Sequence, residues 1–445
     1  MNKTKRFCAI ALAAMMAASA LTACGGGTAS TPTPADTTPT TSDAGTGNDT
    51  TSAAATDAID LGGEDNVTLK VWGPDAAQTI LKKQCDDFIA AVGDQASVTI
   101  EVVPMGEDVA ATQALTDASA AADVFGFACD NLDRLVGADV LTEVVAADLD
   151  WVKENNSESS VDAATVNGSV YAFPETGDNS YILVYNKDYV SADQAKTLEG
   201  VLEACKAANK KFVMDAGNGF YACTFAFTGG LKIDGLEEDG ITQKFTEYDE
   251  ATVVKTLAAF QDLFAKYKDN VLWGECTKVG DGFSSDTVAA GIDGSWDFST
   301  DKAALGDKAG FAILPTINVD GTDVPMINMF GYKLLGVNAA TAFPNTSVEL
   351  AKYLTSEKCQ LERAQELNWG PSNKAAAESD VVKNDEALSS ILAQSANSVA
   401  QKGLASTFWT PMATLGSKIT DFANPMSEDD IKTLVKQTVA NIRDE

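Results

Sequence analysis

The chain has 445 residues, 45% of them hydrophobic, with 32 basic side chains against 64 acidic ones and no histidine. A net charge of −32 repels nucleic acid and anionic membrane surfaces. The missing imidazole excludes Ser-His-Asp and Cys-His nucleophile pairs, histidine zinc sites and histidine pH switching. Any catalysis would have to run on carboxylates, lysine or tyrosine, and neither a metal nor a cofactor is expected.

At the N-terminus Lys3, Lys5 and Arg6 precede an apolar stretch, Phe7 to Leu21, that is too short to be an ordinary membrane span. Leu21-Thr22-Ala23-Cys24 follows and resembles a bacterial lipobox. Residues 1–23 are therefore expected to be a lipoprotein signal peptide and Cys24 the lipidated first residue, anchoring the protein to the cell membrane on its extracytoplasmic side. Losing the signal leaves 29 basic against 64 acidic side chains, a net of −35. From Gly25 to Asn66 no aromatic residue occurs, and Ile59 and Leu61 are the only large apolar ones. Such a stretch cannot bury enough to fold, so residues 24–65 are expected to be a disordered linker with a reach on the order of 35 Å. Cys85, Cys129, Cys205, Cys223, Cys276 and Cys359 show no CxxC spacing. Export permits disulfides, but small buried hydrophobe is the expected role for most of them.

The body opens with alternating Val67 to Trp72, read as a strand. Ile80, Leu81, Cys85, Phe88, Ile89 and Val92 then form one face of a helix that stops at Gly93. Val98 to Val103 reads as a second strand, Val109 to Ala118 as a weaker helix, Asp123 to Phe127 as a third strand, and Leu132 to Val136 as helical. This order predicts a parallel sheet with crossovers. Ligands gather at the carboxyl ends of such strands, which would put Trp72 to Asp75 and Phe127 to Asn131 on one crevice. The pattern then repeats. Ser180 to Tyr185, Lys211 to Asp215, Val288 to Asp293 and Phe311 to Leu314 read as strands, and Val253 to Tyr267 reads as a long helix. A last helix, capped by Ser427, turns Ile431, Leu434, Val435, Val439 and Ile442 inward. Two α/β sets over this length predict two lobes.

Five segments carry a resemblance: Ala164 to Pro174 followed by Val184 to Asp188, Asp123 to Asn131, Ile292 to Ser299, Ala312 to Thr316, and Thr407 to Pro411. Taken with the lipobox, they resemble the extracellular solute-binding proteins of ABC importers (family 1), the group that includes maltose- and maltodextrin-binding proteins. The resemblance implies an α/β fold of the periplasmic-binding-protein type (class II), with two Rossmann-like lobes joined by a three-segment hinge. Matched positions put the crossings near Gly177 to Tyr181, Phe330 to Leu334 and Trp369 to Asn373, with Gly177, Gly331 and Gly370 as candidate joints. The lobes would be 66–178 plus 334–371 and 180–330 plus 374–445.

The implied function is capture of a neutral sugar, of the maltodextrin oligosaccharide type, by hinge closure and its delivery to ABC permease subunits by a monomeric, lipid-anchored receptor without enzymatic activity. A sugar presents apolar C–H faces and a rim of hydroxyls, so its site needs aromatic platforms and planar carboxylates or amides. The resemblance puts Trp296, Trp409, Phe220, Tyr221, Phe127 and Trp72 forward as platforms, and Asp130, Asn131, Asp75, Asp178, Asn179 and Asn218 as polar partners. Asn131, Cys129 and Gly217 to Tyr221 depart from the maltodextrin pattern, which bears on the sugar and not on the fold. Two other readings compete. A binder of peptides or amino acids would need a buried cation, for which Arg134 and Lys333 are the candidates. A surface glycoside hydrolase would need paired carboxylates, such as Glu237-Glu238 or Asp429-Asp430.

Overall fold

The computed structural model describes residues 59–275 and 277–444. Cys24, the signal segment, most of the linker and Cys276 lie outside the described residues. Two sheets organise the body. The first runs in the order Ser398–Ala400, Asn328–Val337, Val124–Ala128, Val67–Gly73, Val98–Pro104, and Phe173–Asn179 also pairs with Asn328–Val337. The second runs Val271–Trp273, Lys211–Met214, Val288–Gly294, Tyr181–Asn186, Ala309–Ala312. Each has its own core, one built around Phe88, Phe125, Phe127 and Phe173 and the other around Phe212, Phe225, Phe260 and Phe264.

Burial on both faces explains the strand composition of the second sheet. Tyr181, Leu183 and Tyr185 pack into the large core on one side, while Ile182 and Val184 pack on the other side with Val213, Phe298 and Phe311. Helices Gln78–Val92 and Glu250–Lys266 lay their apolar stripes on the two sheets as the periodicity predicts. Ser427 caps helix Glu428–Arg443 in a reciprocal box with Asp430.

The parallel expectation holds only for part of each sheet. Val67–Gly73 pairs in parallel with Val98–Pro104 and Val124–Ala128, but Asn328–Val337 runs antiparallel to Val124–Ala128. Likewise Tyr181–Asn186 runs antiparallel to Val288–Gly294 and Ala309–Ala312. The antiparallel members are the strands that enter from the other lobe. Only Ser180 separates Phe173–Asn179 in the first sheet from Tyr181–Asn186 in the second. Asn328–Val337 spans both regions within one strand: its start bonds to Tyr181 and Ser180 through the Asn328 amide, and its end pairs with the first sheet. A third passage runs through Pro371, which bridges to Thr176, and leads to helix Glu386–Gln394, which bonds Phe311 in the second lobe. The strand expected at Phe311 to Leu314 is Ala309–Ala312, because Leu314 precedes Pro315 and gives its N–H to the Gln394 side chain, 2.8 Å away.

One expectation changes. The last residues of the proposed linker belong to the folded body. Leu61 is buried in the first core, and Glu64 accepts from the Asn345 and Thr346 backbone N–H groups at 3.0 and 2.9 Å. Helix Pro344–Leu354 has no side-chain cap of its own, so Glu64 supplies the charge complement to its N-terminus. At the crossings, none of the candidate joints Gly177, Gly331 and Gly370 has a positive φ. They permit close approach: a Cβ on Gly370 would sit 2.7 Å from Asp178 Cβ, and one on Gly331 would collide with the Gln401 side chain.

Candidate functional site

Four aromatic residues come together on the second lobe. Trp296 follows the end of strand Val288–Gly294, Phe220 and Tyr221 open helix Gly219–Thr228, and Trp409 opens helix Trp409–Ile419. Phe220 lies 6.0 Å from Trp296 and 6.1 Å from Trp409 between ring centroids, and Tyr221 lies 6.5 Å from Trp296. Phe220, Trp296 and Trp409 are half-buried, whereas Tyr221 is buried. Behind them Tyr181 packs on both Phe220 and Tyr221 and donates its hydroxyl to the Phe220 carbonyl, 2.8 Å away. The wall is thus fixed from the sheet side and open on the other. Asn218, exposed, caps the helix by accepting from the Phe220 N–H.

A polar edge from the first lobe faces this wall. Asp130 and Asn131 form the turn after strand Val124–Ala128, and the Trp409 indole N–H acts on the Asp130 carboxylate. Gln401 Nε2 donates to Asp130 at 3.1 Å and Asn131 Nδ2 at 3.2 Å. Asn179 Nδ2 donates to Gln401 Oε1 at 2.6 Å. Burial pushes the Asp130 carboxyl up to about 7, against the weaker opposing effects of its own backbone N–H and the Arg134 charge. Residues from both lobes therefore meet around one amide, Gln401, which no motif or spacing singles out.

Beneath this edge the three passages converge on a buried cluster of charges. Lys333 Nζ lies 3.4 Å from Glu107 Oε1, 4.6 Å over the Trp369 ring and 5.9 Å over the Trp296 ring. Burial pulls the Lys333 ammonium down, but the nearby charges of Glu107, Asp178 and Glu175 outweigh it and raise its pKa. Burial raises Glu175 and Asp178 in turn. Asp178 accepts from the Gly370 N–H at 2.6 Å, which ties the first passage to the third.

The proposed site residues thus separate. Phe220, Tyr221, Trp296, Trp409, Asp130, Asn131 and Asn179 come together. Asp178 is buried in the charge cluster and has its carboxylate occupied by the backbone. Phe127 is fully buried beside Phe125 in the first core, a correction to its role as a platform: its strand end turns inward. Trp72 also packs on Phe125, at 6.1 Å, in that core, so it too is a packing residue in this structure. Asp75 is exposed in the turn that follows. A cavity of about 670 Å³ lies to one side, lined by Asp133, Asp162, Asn167, Gly235 and Lys402 among others, and includes none of the aromatic wall.

The competing motifs are placed as well. Asp430 is engaged in its helix cap, and Glu237 and Glu238 lie in the turn between two short strands. Arg134 is exposed and donates to Asn131, and the Lys333 charge is matched by three carboxylates. Cys85, Cys129, Cys205, Cys223 and Cys359 are free and buried, and burial pushes the first four thiols up to about 12. Among the described residues no helix is long and apolar enough to cross a membrane.

A family model described as bacterial extracellular solute-binding protein matches residues 83–390. A solved structure described only as "with acarbose" is 27% identical, with a TM-score of 0.76, covering 85% of this chain and 98% of its own. The maltodextrin-binding protein MalE1 from L. casei BL23, without ligand, is 24% identical with a TM-score of 0.72, covering 84% and 98%. The Thermus thermophilus maltotriose binding protein, bound with maltotriose, is 21% identical with a TM-score of 0.69, covering 84% and 99%. No curated protein matches. With the family model covering well over half of the sequence, and the two-lobed α/β architecture of these structures, the chain belongs to the bacterial extracellular solute-binding proteins.

Proposed function

We propose that this protein is the sugar-capturing receptor of an ABC importer, binding a neutral oligosaccharide of the maltodextrin type and making or breaking no covalent bond. One observation carries the reading: half-buried Phe220, Trp296 and Trp409 form a rigid wall opposite Asp130, Asn131 and Asn179, the combination of C–H platforms and planar hydroxyl partners that a sugar requires. The structures bound to maltotriose or with acarbose support it by likeness of fold. The matching of Lys333 by its own carboxylates argues against an anionic peptide or amino acid.

The lobes are taken as 66–178 plus 334–371 and 180–330 plus 374–445, with residues 59–65 added to the first. A ligand on the aromatic wall recruits Asp130 and its neighbours from the other lobe, and closure shifts by no more than the ligand's preference for the closed form. The closed monomer then docks on permease subunits. Cys24 would carry the lipid, and the segment after it would keep the receptor near its permease at high effective concentration. Titration with malto-, manno-, xylo- and galacto-oligosaccharides, followed by tryptophan fluorescence and scattering radius, tests the proposal. Quenching with compaction by malto-oligosaccharides is expected; no response to any glycan would overturn it.

A further inference from the structure

We infer that Lys402 clasps the two lobes on the side away from the aromatic wall and opposes closure. The grip on a neutral ligand then tightens as external salt rises. This rests on the hinge-closure reading and adds a control to it. Residues 398–405 form a strap that none of the three passages includes. Ser398–Ala400 pairs with the start of Asn328–Val337, and the Gln401 N–H extends that ladder to the Phe330 carbonyl, 2.9 Å away. Side chains of an extended chain alternate between two sides. Gln401 turns to Asp130 and Asn179 at the polar edge. Lys402 turns the other way, to helix Glu158–Ala163 of the first lobe. There its ammonium lies 2.7 Å from the Asp162 carboxylate and donates to the Asp162 carbonyl at 2.8 Å.

The next residue fixes the strap to the second lobe. Gln243 Nε2, on strand Gln243–Phe245, donates to the Gly403 carbonyl at 3.2 Å and to the Gly235 carbonyl at 2.7 Å. Lys402 therefore stands on one lobe and holds the other. Among the ion pairs of the described residues, it forms the one that joins the lobes outside the passages. It borders the cavity of about 670 Å³, which Asp133 and Asn167 line from the first lobe and Ile233 and Gly235 from the second. Cavity and wall lie on opposite sides of the strap, so a rotation that closes the lobes over the wall draws them apart across the cavity. That movement stretches the Lys402–Asp162 contact, and ligand binding has to overcome it. The side chains are 35% and 65% exposed, which limits the contact to about a fivefold change in affinity and leaves it open to screening.

The test follows maltotriose affinity by tryptophan fluorescence from low salt to about 1 M, where the Debye length falls to about 3 Å. It uses wild type, Lys402→Met, and the exchanged pair Lys402→Asp with Asp162→Lys. Wild type is expected to bind roughly threefold more tightly at high salt, since a neutral ligand has no charge of its own to screen. Lys402→Met should bind about threefold more tightly than wild type at low salt and lose the salt response, which the exchanged pair regains. Weaker or unchanged binding by Lys402→Met, or a salt response equal to that of wild type, would overturn the inference. Spin labels on cysteines at exposed Glu158 and Ile241, with Cys24 and Cys276 replaced by serine, read the movement across the cavity. Their separation should lengthen with maltotriose; a shortening would also overturn it. If no glycan binds, the sugar reading fails and the labels still decide this one: salt should lengthen the separation in the ligand-free chain but not in its Lys402→Met variant, and no lengthening in the former sinks the clasp.

Discussion

Two tryptophan-containing clusters lie side by side in this molecule and differ in how they are satisfied. At the crossings, Lys333, Glu107, Glu175, Asp178 and Trp369 answer one another's charges and faces, and almost nothing is left for a ligand. On the second lobe, Phe220, Trp296 and Trp409 keep one side open, and the acid opposite them is met by neutral amides and, at longer range, by the Arg134 charge. The first arrangement holds the lobes together; the second waits for a partner. Residue type alone does not separate the two, because each combines tryptophan with carboxylate. Whether the polar groups find their complements within the chain does.

Three measurements would break or sharpen this contrast. Lys333→Met leaves three buried carboxylates without their cation and should cost about 3–5 kcal/mol in urea unfolding at pH 7. Much of the loss should return on acidification, because burial raises Glu175 and Asp178 so that they protonate readily. Trp296→Ala should reverse the pattern. Ligand affinity falls by about 2 kcal/mol, roughly thirtyfold, while the unfolding midpoint moves far less than in Lys333→Met. Equal stability losses in both variants would dissolve the distinction. The smallest effect concerns Asp130. Its folded pKa, up to about 7, lies above the ordinary carboxylate value, so its contribution is complete below about pH 4 and is lost as pH rises through about 7. The loss should be about 1 kcal/mol for a group that keeps some contact with solvent, and Asp130→Asn should abolish that part of the stability profile.

Much of the architecture was legible in the sequence because buried strands and amphipathic helices write their periods directly. Val67 to Trp72 and Val253 to Tyr267 are examples. The residues of the aromatic wall were named through the resemblance, and only Trp296 had a local reason as well, its place after a buried strand. Phe127 and Trp72 misled for a physical reason: a strand's end lies at the crevice, yet its side chains alternate, and these two turn towards the core. Gln401 and Glu107 gave no signal, because their importance comes from contacts across hundreds of residues. Lys333 could be named but not weighed, since its meaning depends on Glu107, Glu175 and Asp178 arriving beside it. Asn328–Val337 was visible only as a hinge, because neither sheet alone accounts for its length.

The absence of a side chain at Gly331 has a consequence of its own. That bare backbone leaves room for Gln401, the amide that Asn179 and Asp130 share. A single methyl there would push the amide aside and uncouple the polar edge, while the aromatic wall kept its own supports. Position 331 is therefore a tuning point: lineages or engineers could reset the concentration at which the receptor responds, and keep unchanged what it responds to.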